Sequence, residues 1–124
     1  MTQRSPTPPG WPAAVRPPGA PDWERSAVAW LLDQTPPEYR GYPVLTRHPV
    51  ALAWLGGRQA GAGLSAVRDA IATARADVGG QLPPPALADL IEILEGEQAR
   101  LIAVRRAMGL VEEALRGHRY VPRL

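Results

Sequence analysis

Between residues 87 and 115 every seventh position holds a large apolar side chain: Leu87, Leu94, Leu101, Met108 and Leu115. A strand alternates every two residues, so a repeat of seven kept over this length is the mark of a helix with one stripe against a second helix. Leu90, Val104 and Val111 fill most of the companion seam, with Ile91 beside it, and Glu97 interrupts it. Asp89, Glu92, Glu95 and Glu97 lie in the first half, and Arg100, Arg105, Arg106 and Arg116 in the second. That order opposes the helix dipole at both ends. The pattern predicts a helix from about Pro85 to Arg116, closed by Gly117.

The helix it packs against is the segment from Pro49, a good first helical residue, to about Val78. Val50, Gly57, Leu64, Ile71 and Val78 recur in sevens, with Ala53, Ala60, Val67 and Ala74 as the second seam. Glycine inside a helix costs about 1 kcal/mol relative to alanine. With Gly56, Gly57, Gly61 and Gly63 on board, this helix either depends on close packing or breaks near 56–57. Continuity is the expectation. Gly79–Pro85 is a stop and turn, and two helices of about thirty residues joined this way fold back as an antiparallel hairpin about 45 Å long. A shorter helix is expected over 22–34, with Trp23, Ala27, Trp30 and Leu31 on its buried side, capped by Asp22 or by Pro21 jointly with the acidic first turn. Thr35-Pro36-Pro37 ends it. The connector 36–48 carries Tyr39, Tyr42, Val44 and Leu45, which are expected to pack on the helices.

The expected fold is therefore all-α: a long antiparallel helical hairpin with a short N-terminal helix at its open end. Dimerisation would make a four-helix bundle core. Seven of the fifteen prolines fall within the first 21 residues, where the missing N–H groups and fixed φ suit neither helix interior nor central strand. The organisation read from this is a flexible Pro-rich tail over 1–21, a helical domain over 22–117 and a C-terminal tail over 118–124. Trp11 sits in the first tail, placed to dock on the chain's own body or on a partner groove.

Composition excludes more than it assigns. Without cysteine there is neither disulfide nor thiolate chemistry. No apolar run approaches a membrane span, and the N-terminal residues lack the apolar stretch of a signal peptide, so the cytoplasm is the expected location. All 14 basic residues are arginine, and the net charge is only +2. With twenty alanines and no lysine, asparagine or phenylalanine, this is the coding bias of a GC-rich genome more than a sign of phosphate binding.

Catalytic constellations fare poorly. His48 and His118 flank the two long helices and meet at the open end of a hairpin, but no fixed carboxylate accompanies them. Glu92, Glu95, Glu112 and Glu113 lack the Glu-x-x-His spacing of di-iron bundles. Ser65 lies mid-helix, away from any nucleophile elbow. The glycines of 57–63 have no preceding strand to make a phosphate loop. No catalytic residue, metal or cofactor is expected.

Two binding readings remain. Helix 22–34 is about 18 Å long and covers less than half of the hairpin. It leaves apolar surface at the turn end, for which Ile71, Val78, Leu82, Leu87, Ile91 and Ile93 are the candidate interface. The expected partner is a second copy of the chain or another protein. The alternative is a nucleic-acid-associated protein using Arg100, Arg105, Arg106, Arg116, Arg119 and Arg123. These six oppose only Glu112 and Glu113 after residue 99, but they scatter around the helix instead of forming one stripe.

The run Pro36-Pro37-Glu38-Tyr39-Arg40-Gly41-Tyr42-Pro43-Val44-Leu45-Thr46-Arg47-His48-Pro49-Val50 resembles a signature of small uncharacterised actinobacterial proteins, as does Gly109-Leu110-Val111-Glu112-Glu113-Ala114-Leu115-Arg116-Gly117. The resemblance spans most of residues 22–124 and implies no activity, cofactor or catalytic residue. The glycine-laden 56–63 segment departs from the more ordinary helix of such proteins.

Overall fold

The computed structural model describes residues 6–123. It contains α1 (Trp23–Gln34), α2 (Pro43–Arg47), α3 (Pro49–Asp77) and α4 (Pro84–Leu115), with 3-10 turns at Pro37–Gly41 and Gly79–Gln81. Counting the 3-10 turns, 73% of the described residues are helical, and no strand occurs among them. Proline opens α2, α3 and α4, where its missing N–H would have had no intrahelical partner. At the far end of α4, Gly117 takes φ 89°. Its N–H reaches Ala114 O and that of His118 reaches Glu113 O, both at 3.0 Å, closing the helix in a Schellman turn.

α3 and α4 form the hairpin, and their register is visible at the glycines. Gly56 faces Met108, Gly61 faces Arg105, Gly63 faces Leu101 and Gly79 faces Leu87. One number rises as the other falls, so the helices are antiparallel. α3 is unbroken through Gly56 and Gly57. The reason is specific to Gly56: a Cβ there would lie 3.1 Å from Thr35 Cγ2 and 3.4 Å from Met108 Sδ. Packing from two sides holds the helix where propensity alone would weaken it. A Cβ at Gly57, the heptad position, would meet no atom of another element or side chain within 4 Å. Close approach therefore falls one residue before the position that the seven-residue count selects.

α1 lies across the open end and touches both long helices. Ala27 and Leu31 join Leu52, Ala53, Ala60, Met108 and Val111 in one core. Thr35 ends α1 inside this core, its hydroxyl donating to Leu31 O at 2.8 Å while its methyl group meets Gly56. Asp22 does not cap α1 with its side chain as expected; it adopts φ 60°, and its carbonyl accepts the Ser26 N–H at 3.0 Å. In the connector Leu45 is buried and Tyr39 packs against the core. Tyr42, just before α2, is instead exposed, as is Val44, because the short α2 turns Leu45 inward and Val44 outward.

The largest correction concerns the Pro-rich segment. Residues 6–21, expected as part of a flexible tail, wrap the open end (residues 1–5 of that tail lie outside the described residues). Val15 is only 3% exposed and belongs to the core. Turns close at Pro8–Trp11, Pro12–Val15 and Pro17–Ala20 through backbone hydrogen bonds of 3.0–3.1 Å. Trp11 docks on the chain's own body: its indole N–H donates to Val15 O at 2.9 Å, and its ring stands 6.5 Å from that of Trp23. Ser26 Oγ accepts the Arg16 N–H at 2.9 Å, and Arg106 reaches Pro9 O. Proline narrows the unfolded ensemble, so ordering such a segment costs less entropy than ordering ordinary coil. Proline content signals turns here, and Trp11 and Val15 supply the anchors.

Candidate interaction surface

The open half of the hairpin has three layers and the turn half has two. In α4 the buried residues are Ala107, Met108 and Val111, all at the open end. Toward the turn nothing on α4 is fully buried. Val111 and Ile93 show the difference directly. They are eighteen residues apart, five full helical turns, and so stand on one side of α4 about 27 Å apart. Val111 lies under the core and is 0% exposed, whereas Ile93 is 66% exposed. The α3 residues near the level of Ile93 include Ala70, Ala72 and Ala74, which are too short to reach around the helix and cover it.

The six candidate interface residues divide. Ile71, Leu82, Leu87 and Ile91 are half-buried, and Leu87 lies over the turn at Gly79. They belong to the α3–α4 contact more than to a free surface, which corrects the expectation that all six lie open. Val78 and Ile93 are exposed. Ile102, 46% exposed, escaped notice in the sequence. It shares a stripe with Ile91, since eleven residues make just over three turns, and an eleven-residue count would have exposed it. Trp54 is 47% exposed and carries the Arg58 guanidinium 5.3 Å from its ring centre. It borders a shallow groove of about 430 Å³ between α3 and α4, floored by Gly57, Gly61 and Gly109. A second cleft, of about 560 Å³, separates Pro8 and Trp11 from Tyr120 and Val121 of the C-terminal tail.

Half of the six arginines of the alternative reading are engaged within the chain. Arg100 donates two hydrogen bonds to Glu97, at 2.5 and 2.9 Å. That pairing holds the Glu97 carboxyl below its usual range and the Arg100 guanidinium above its own. It also explains how a glutamate occupies a seam position, half-buried with its charge turned outward to Arg100. Arg116 binds Glu112 at 2.9 Å, Arg106 binds Pro9 O, and Arg105 lies beside Gly61. Arg119 and Arg123 are exposed. His118 pairs with Glu113 and His48 is exposed at the start of α3. Among the described residues, no three His, Asp or Glu side chains gather where they would hold a metal ion, and no helix is long and apolar enough to cross a membrane.

No protein-family profile, curated protein or solved structure matches this chain.

Proposed function

We propose that this chain is a non-catalytic protein-interaction module whose partner surface is the turn half of the hairpin, and that it works in the cytoplasm. The observation that supports this reading most is the exposure of Ile93 on a side of α4 that is fully covered five turns later. Burying an isoleucine contributes about 1.5–3 kcal/mol, so leaving one in water on a rigid helix forgoes stability that a partner would recover. Val78, near the turn, is exposed as well, while Ile102 is exposed on the opposite side of α4, about two and a half turns from Ile93.

Nucleic-acid association is the alternative, and it rests on the exposed Arg105, Arg119 and Arg123, with Arg100, Arg106 and Arg116 each bonded within the chain. The two readings separate by co-purification from the cells that make the protein, comparing the natural chain with Ile93→Glu. The interaction reading expects a defined protein recovered with the natural chain and lost with the variant. Recovery of DNA or RNA that is nuclease-sensitive, salt-dependent and equal for both chains would replace it with the alternative.

A further inference from the structure

The exposed side of α4 in the turn half is self-complementary. Asp89, Ile93, Gly96 and Arg100 follow one another at spacings of four, three and four, which puts all four on a single helical stripe. All four are exposed. Asp89 makes no ion pair among the described residues. Arg100 uses Nε and Nη2 on Glu97, which leaves three of its five N–H donors for another acceptor. A Cβ at Gly96 would meet nothing within 4 Å, so the helix has an open notch there beside the Ile93 ridge.

Resting on the interaction reading above, we propose that the partner is a second copy of this chain. The two α4 segments pair antiparallel about a two-fold axis between residues 94 and 95. In that register Asp89 meets Arg100 of the partner subunit, and Ile93 enters the notch at the partner's Gly96. The symmetry repeats both contacts, because in an isologous interface each residue pair occurs twice. Charge fixes the direction: a parallel pairing would set Asp89 against the partner's Asp89 and Arg100 against the partner's Arg100. The extent is bounded as well. α1 and Val15 already occupy the open half, so the overlap runs from about residue 84 to 104, roughly 30 Å of helix. A helix surface of this size gives a reversible dimer, smaller than obligate interfaces.

The test is sedimentation equilibrium at micromolar concentration on the full chain, with circular dichroism confirming that helix content is kept. The natural chain is expected to be dimeric and Ile93→Glu monomeric. Asp89→Arg alone sets arginine against arginine twice, and Arg100→Asp alone sets aspartate against aspartate twice. Each is expected to weaken the dimer by about tenfold or more. Mixed, the two variants restore both opposite-charge pairs at once, so a heterodimer should form where neither variant self-associates. A merely structural role for these charges gives no rescue on mixing. Two results overturn the proposal: a monomeric natural chain, or charge variants that dimerise as well alone as mixed. The interaction reading fails separately. A monomeric natural chain that still recovers a protein lost with Ile93→Glu keeps that reading with a different partner, and one that recovers none ends both.

Discussion

The two halves of the hairpin are built from the same materials and end differently. In both, small residues of α3 are buried in the hairpin: Ala53, Gly56 and Ala60 at the open end and Ala74 toward the turn. Small residues let helix backbones approach closely but bury little apolar area per contact. At the open end α1 and the Pro-rich segment add a third layer, and Leu31, Leu52, Met108 and Val111 become fully buried. The turn end receives no such layer and keeps Ile93 and Val78 in contact with water. A two-layer helical hairpin is thus incomplete wherever its third layer stops, and the stopping point marks the surface available to a partner.

Truncation breaks the comparison most forcefully. Leu52→Ala or Met108→Ala removes a fully buried side chain and is expected to cost about 2–5 kcal/mol. Ile93→Ala in the monomer is expected to stay within about 0.5 kcal/mol of the natural chain. Urea unfolding measured by circular dichroism checks both, and equal losses at the two ends would erase the distinction. Val15→Ala comes next. If the Pro-rich segment is a structural layer, removing two buried methyl groups costs about 1–2 kcal/mol; a loose tail would show no change.

The smallest effect sharpens the account of α3. Gly57→Ala adds a methyl group where nothing lies within 4 Å, so the gain in helix propensity is expected to stabilise by about 0.5–1 kcal/mol. Gly56→Ala gains the same propensity but presses on Thr35 Cγ2 at 3.1 Å, and is expected to be neutral or destabilising. Thermal melts of the pair separate close packing from mere tolerance of glycine.

The long helices were readable because a seven-residue repeat reports the contact face wherever it persists, as from Leu87 to Leu115. The turn at Gly79–Pro85 was readable because glycine and proline act locally. What was not readable depends on contacts across the chain. Val15 looks like one apolar residue among prolines until α1 and the hairpin stand beside it. Gly56 is indistinguishable from Gly57 in sequence, and only Thr35 and Met108 pick it out. At the surface, Ile93 was legible because it sits off the heptad stripe, while Ile71 and Leu87 sit on it and are spent largely within the hairpin. Ile102 lies outside a count of seven altogether.

Amide hydrogen exchange along α4, followed residue by residue as protein concentration is raised, measures the difference between the halves in a single helix. Residues 107–115, beneath α1 and Val15, are expected to be strongly protected at every concentration. Residues 86–103 are expected to exchange faster in dilute solution and to gain protection as concentration rises. Uniform protection along α4 that is indifferent to concentration would contradict both the two-layer reading of the turn half and its role as a surface for a second copy.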